Sequence, residues 1–299
     1  MLFAAHESFH IREGWLRKGL LGIQKDPLLF SQEFAVDMLG VGHNMVSAIR
    51  YWLQATGLAQ SHPVVIDGKR IAHFEWTPLA HLIMGYDPFF EDEGTLWILH
   101  AQLATNVKQA TTWHWFFNRF GLRQFTQDLF LTHLQRYVAA EGRRKISVRS
   151  LERDFRCFIR TYARSEERVA RVNPEDSFDC PLSILNILEV LPLTKSFRLV
   201  PPTPEGLDPL FVAYALIRLK AQRATKEVSF RDALYSEGSP GRIYGLDAEA
   251  LHTYFTRLEN QEQKLLSFSR TAGLNVVTLQ TTDPESVLRR YYDMKERSS

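Results

Sequence analysis

Cysteine is nearly missing from this chain of 299 residues: Cys157 and Cys180 are the whole supply. Two thiols cannot by themselves furnish a four-ligand zinc site, and they do not make a disulfide framework. They read as reduced thiols of a cytoplasmic protein. No apolar run reaches the ~18 residues needed to cross a bilayer, so no membrane partner is expected. The start, MLFAAHESFHIREGW, lacks a basic stretch followed by an uninterrupted apolar one, and so does not read as a signal peptide. Also missing are a P-loop, a dinucleotide fingerprint, a GxSxG elbow and the PD-(D/E)xK and HNH nuclease patterns. Gly241-Arg242-Ile243-Tyr244-Gly245 supplies only half of a GIY-YIG pattern.

Aromatics, in contrast, are abundant, with 20 Phe, 10 Tyr and 6 Trp, and hydrophobic content is 45%. This excludes a disordered chain and provides core for two or three modules. Net charge is only +2, but it is unevenly placed. Residues 119–171 hold 13 Lys/Arg against 6 Asp/Glu, whereas 87–118 hold 1 against 4. A basic centre between neutral or acidic flanks suits a polyanion partner. The expected architecture is mainly α with small β. A winged helix-turn-helix module over 1–86 precedes a helical domain over 87–200, and an α+β module follows over 201–299. The Pro/Gly-rich PPTPEGLDP, 201–209, marks the second boundary.

The winged-helix expectation rests on 31–76. Phe34, Ala35, Met38 and Leu39 repeat with helical spacing behind Ser31 as N-cap, and Gly40-Val41-Gly42 breaks the pattern. A second helix then places Met45, Val46, Ile49, Trp52 and Leu53 on one face and His43, Asn44, Ser47, Arg50 and Gln54 on the other. Asn and Arg suit bidentate contacts with base edges, and Ser suits phosphate. VVIDGKRIAHFEW, 64–76, is two extended runs around Asp67-Gly68, a hairpin signal. Thr77-Pro78 opens a further helix. Such a module serves protein contacts as readily as DNA.

The basic centre has a periodicity of its own. In SVRSLERDFRCFIRTYAR, 147–164, Val148, Leu151, Phe155, Phe158, Ile159 and Tyr162 share one helix face. Arg149, Arg153, Arg156 and Arg160 follow at spacings of four, three and four on the other, Arg164 extends the row, and Arg143-Arg144-Lys145 precede it. Guanidinium groups so placed can neutralise successive phosphates, or simply coat a solvated helix balanced by Glu152, Asp154 and Glu167. Trp113, Trp115, Phe116, Phe117 and Phe120 are read as core between helices in preference to a base-stacking surface. Glu91-Asp92-Glu93 open a helix, where acidic residues complement the macrodipole. Glu91 and Asp92 are also candidate ligands for Mg²⁺ or Mn²⁺.

Residues 6–10, HESFH, spell the His-Glu-x-x-His of zinc proteases. No third ligand stands in a recognisable context, and no zinc is expected. Extended to HESFHIREGWLRKGL, the stretch offers His6, Glu7 and Arg12 ahead of an amphipathic helix. These can serve phosphodiester chemistry, or tie modules together as buried polar contacts. Toward the C-terminus, 248–260 reads as a helix capped by Asp247, 273–280 as a strand, and Asp283-Pro284-Glu285 opens a last helix. Together these can form a second winged-helix-like unit.

In order, HESFHIREGWL, LGVGHNMVSAIRYWL, TPLAHLI, DPFFEDEGTLWILHAQL, TWHWFFN, GSPGRIYGLD and LRRYYDM run from His6 to Tyr292. Together they resemble a family of unknown-function domains found beside phosphoadenosine phosphosulfate reductase-like proteins in DNA phosphorothioation clusters. The resemblance implies the DNA-nicking component of a single-strand phosphorothioation and anti-phage defence system. It further implies double-stranded DNA as substrate and a cysteine desulfurase, an ATP pyrophosphatase-like sulfur transferase and an ATPase as partners. It carries over no catalytic motif. A non-catalytic winged-helix DNA-binding adaptor or transcriptional regulator is the alternative.

Overall fold

The computed structural model describes residues 1–142, 146–164, 180–223, 225, 227–261, 264–271 and 274–297. It is mainly helical, with three small sheets, and divides into two units. The first comprises Met1–Trp115 and Leu122–Arg198; the second comprises Phe116–Gly121 and Leu199–Ser299.

The first unit begins with an irregular segment and then α1 (Trp15–Lys25), α2 (Ala35–Leu39) and α3 (His43–Ala55). Between α1 and α2 the sequence pattern is overridden. Ser31 does not cap α2; it ends a 3-10 turn, Leu29–Ser31. Leu29 is fully buried, and its side chain occupies the space a Cβ at Gly22 would need. That burial pulls the chain off a helical path until Phe34. The turn from α2 to α3 follows the expected chemistry. Gly40 adopts φ 58°, and the Gly40 and Val41 amides cap the carbonyls of Asp37 and Val36.

After α3 come β1 (Ala59–Ile66) and β2 (Lys69–Trp76), antiparallel from Ala59↔Trp76 to Ile66↔Lys69. The connecting residues Asp67 (φ 51°) and Gly68 (φ 75°) are both left-handed, as a two-residue hairpin turn requires. Thr77 then caps α4 (Pro78–Tyr86) by accepting from the Ala80 amide. Asp92 caps α5 (Glu93–Thr105), accepting from Gly94 and Thr95. The helix α6 (Thr111–Trp115) runs into one wide turn, Phe116–Phe120. A short β3 (Gln124–Phe125) precedes α7 (Gln127–Ala140) and α8 (Val148–Tyr162). Then β4 (Leu188–Leu191) and β5 (Ser196–Leu199) complete a sheet of order β3-β5-β4. Trp113, Trp115, Phe116, Phe117 and Phe120 are all buried, so they serve as core and present no face to bases.

In the second unit α9 (Pro209–Arg223) is buried along most of its length, and Phe211 packs on Tyr291 of α13 (Pro284–Glu296) at 4.7 Å. β6 (Val228–Ser229), α10 (Phe230–Tyr235), α11 (Pro240–Ile243), α12 (Ala248–Glu259), β7 (Leu266–Thr271) and β8 (Leu274–Leu279) lie between them. The sheet order is β6-β8-β7. Asp247 and Asp283 cap α12 and α13 as their sequences predict. Gly241 is required by space. A Cβ there would stand 2.3 Å from the Leu234 carbonyl oxygen and 2.6 Å from its Cα. Gly85, in α4, faces open space. Gly241→Ala is therefore expected to cost about 1–3 kcal/mol or more through overpacking. Gly85→Ala stabilises by about 0.5–1 kcal/mol. Urea unfolding of both variants checks the contrast, and equal midpoints would contradict it.

Candidate nucleic-acid interface and adjoining cavity

Three groups of residues in the first unit need placing: the N-terminal cluster, the polar face of α3 and the arginine row of α8.

The N-terminal segment is anchored in the core. His6 is 1% exposed and Asp154, on α8, 2%. Asp154 Oδ1 accepts from the Ala4 amide at 2.6 Å and from His6 Nε2 at 3.0 Å; Oδ2 accepts from the Thr112 hydroxyl. The Ser8 amide donates to His6 Nδ1 at 3.1 Å, so the proton sits on Nε2 and points at Asp154. The imidazole is walled by Trp52 (stacked, 6.2 Å), Tyr51 and Trp113. The Phe9 carbonyl accepts from Trp52 Nε1 at 3.0 Å and from Cys157 Sγ at 3.4 Å. Burial, with the Asp154 carboxylate as second cause, pushes the Tyr51 phenol and the Cys157 thiol well above their usual ranges. Neither is poised to act as a nucleophile or base at neutral pH.

His6, Glu7 and Arg12 therefore do not converge. Glu7 is exposed on a left-handed turn with Ser8. Arg12 lies 5.2 Å from the Phe9 ring and 5.3 Å from the Trp15 ring, and it lines a cavity of about 630 Å³. The cavity walls include Ile11, Leu16, Phe90, Leu96, Leu99 and Leu182, and its polar groups include Arg12, Glu13, Glu91 and Arg164. The structure thus brings Arg12 together with Glu91, and adds Glu13 and the end of the arginine row. Glu13 was not predicted. Its only signal in the sequence is its place beside Arg12 in HIREGW. Asp92 is engaged as the α5 cap, and buried Asp87 accepts from the Glu91 and Asp92 amides at 3.0 and 3.1 Å, fixing the turn that presents Glu91. Among the described residues no group of three or more His, Cys, Asp or Glu is placed to hold a metal ion.

The two helical faces point outward. On α3, His43, Asn44 and Arg50 are exposed and Ser47 is half-buried, whereas Val46, Ile49, Trp52 and Leu53 are buried. On α8, Ser147 caps by accepting from Ser150; of its apolar face Leu151, Phe155, Phe158 and Tyr162 are buried, whereas Ile159 is half-buried and Val148, in the first turn, is exposed. Arg149, Arg156 and Arg160 are exposed and Arg153 is half-buried. None of the four forms a salt bridge with a described residue. Arg143, Arg144, Lys145 and Glu167 lie outside the described residues. At 1.5 Å per residue the helical part of the row, Arg149 to Arg160, runs roughly 17 Å; α8 ends at Tyr162, and Arg164 follows beyond the extended Ala163 and lines the cavity.

Asp154→Ala leaves the Ala4 amide, His6 Nε2 and the Thr112 hydroxyl without their acceptor. The expected loss is at least about 3 kcal/mol, at about 1–3 kcal/mol per orphaned buried group. His6→Ala, which spares two of the three bonds, is expected to cost less. Denaturant unfolding that ranked the two variants the other way would refute the carboxylate's central role.

No helix among the described residues is long and apolar enough to cross a membrane. No curated protein matches the chain. Two solved structures resemble it closely: an SspB crystal structure and a magnesium ion-bound SspB crystal structure. Each is 26% identical, covers 97% of this chain and 88% of the other, and gives a TM-score of 0.87. The model of the family described as protein of unknown function (DUF4007) matches residues 3–292. On that match the chain belongs to the DUF4007 family, and its structure is SspB-like.

Proposed function

We propose that this protein binds duplex DNA through its N-terminal helix-turn-helix and hairpin, used as a winged helix, and through the arginine face of α8, and that it nicks one strand in a DNA phosphorothioation system. The observation that carries the reading is the continuity between the exposed arginine row and the cavity. Arg164, two residues past the end of α8, follows the row in the chain and lines the cavity, so a strand held along α8 would be led to Arg12, Glu13 and Glu91. The faces of α3 and α8 meet the electrostatic need of a phosphate backbone, because their cations are not neutralised by described carboxylates. His43, Asn44, Ser47 and Arg50 are the base- and backbone-reading groups.

At the cavity, Arg12 and Arg164 would stabilise the charge that grows on a phosphate during hydrolysis, and a carboxylate of Glu13 or Glu91 would accept a proton from water. Glu13 and Glu91 supply the hard oxygen donors that Mg²⁺ or Mn²⁺ takes, usually alongside waters. The magnesium ion in an SspB crystal structure supports this choice. When bound, such an ion would supply Lewis-acid neutralisation of the phosphate. In a phosphorothioation system the expected partners are a cysteine desulfurase, an ATP pyrophosphatase-like sulfur transferase and an ATPase. A second reading, a DNA-binding adaptor without catalysis, draws on His6 and Asp92, both engaged in holding the fold.

Supercoiled plasmid incubated with the protein and Mg²⁺ or Mn²⁺ is expected to become open circles. Arg12→Ala should slow that conversion by about 100-fold, the scale of losing one transition-state donor. A retained gel shift without nicking would favour the adaptor. The double variant Arg153→Glu/Arg156→Glu should weaken DNA binding and lower the slope of log K against log salt by about two. A slope equal to that of the wild type would remove α8 from the interface.

A further inference from the structure

The hairpin β1–β2 stands out from the first unit, and its outer half has a composition that packing does not explain. Its base is fixed. Phe74 is buried, its amide donates to the Pro27 carbonyl at 2.8 Å, and its ring meets Phe30 at 5.0 Å. Trp76 Nε1 donates to the Leu20 carbonyl at 2.8 Å. From the Ser61↔Phe74 rung to the Ile66↔Lys69 rung is five steps, roughly 17 Å of two-stranded ribbon. At the far end Val65 is 72% exposed and Ile66 39%.

The register sorts these residues. Val65 faces Arg70 across the ribbon and Ile66 faces Lys69. Each of the last two rungs therefore pairs a β-branched side chain on β1 with a cation on β2, and the two rungs point to opposite faces of the ribbon. Lys69 and Arg70 are exposed and form no salt bridge with a described residue. A single exposed aliphatic residue needs no explanation. Two at one tip, each opposite a cation, on a ribbon stiffened by a tight left-handed turn, make a shape with one apolar edge and one basic edge.

We infer that this tip is a strand-separating pin. The Val65/Ile66 edge would wedge against or between base pairs, while Lys69 and Arg70 hold the phosphates of one displaced strand. Two-stranded ribbons fit a DNA groove, and apolar wedges unstack base steps when cations anchor the flanking backbone. The inference rests on the DNA-binding reading above and adds to it the state of the substrate, a duplex locally opened at the protein.

The test uses the full chain and a duplex carrying 2-aminopurine in place of one adenine, whose fluorescence rises when the base unstacks. Wild-type protein should raise the signal severalfold at saturation. Val65→Ser/Ile66→Ser, compared at saturating protein as judged by gel shift, should lose the rise. Lys69→Glu/Arg70→Glu should weaken binding by about tenfold. Thermal melts matching the wild type would show that the exposed substitutions leave the fold intact. A wild-type complex with no fluorescence rise, or a rise that survives Val65→Ser/Ile66→Ser, overturns the pin and leaves DNA binding standing. Failure of the wild type to shift any duplex overturns both.

Discussion

The buried carboxylate of Asp154 is the contact on which the first unit depends. It sits on α8 between Arg153 and Arg156, so one helix carries the acceptor that organises the core and the cations that face solvent. Through Asp154 the segment containing Ala4 and His6 is fixed to α8, and through the Thr112 hydroxyl α6 is fixed to the same point. A buried carboxylate is tolerated only where its lone pairs are met, and here two side chains and one amide meet them. The consequence reaches the surface. The chain that leaves His6 continues directly into Ile11, Arg12 and Glu13, so the hub sets where those groups stand along the cavity wall.

The electrostatics of α8 follow from its two faces. Its buried side is aromatic and aliphatic apart from Asp154, the hydroxyl of Thr161 and the thiol of Cys157, which burial keeps protonated. Its outer side gathers guanidinium groups with no described carboxylate against them. Exposed like charges at helical spacing contribute little to folding and mildly oppose it. A row of this kind is therefore not explained as a stabilising device. It suits a partner that brings negative charge at regular intervals, such as the phosphate backbone proposed above. The row is also directional, because one end opens onto solvent and the other onto the cavity that Arg164 lines.

Much of this was legible in the residues because local chemistry and global packing agree. Thr77, Asp92, Ser147, Asp247 and Asp283 each cap the helix they precede, and Asp67-Gly68 turns the hairpin. The outward faces of α3 and α8 followed from periodicity, since a 3.6-residue repeat separates a buried side from a solvated one wherever a core is available. Three features were not legible. Ser31 looked like a cap, but the burial of Leu29 against Gly22 decided the local path. His6 looked like part of a polar cluster with Glu7 and Arg12, yet its partner is Asp154, 148 residues away. No local rule reports a pairing at that separation. The cavity escaped for the same reason: Arg12, Glu91 and Arg164 are brought together only by the fold, and nothing in their spacing announces it.

The arrangement also separates two kinds of sensitivity along α8. At position 154 a change acts first on the core, because groups removed from water lose their only acceptor, and the surface is disturbed as a consequence. At 149, 156 and 160 the side chains are solvated, so a change there barely alters folding and acts almost wholly on what approaches from outside. Arg153 lies between these cases. It is half-buried, its Nε is shielded from solvent and lacks a hydrogen-bond partner, and it is the immediate neighbour of Asp154. Within the row, therefore, Arg153 is the position at which a substitution disturbs the core and the outer face together.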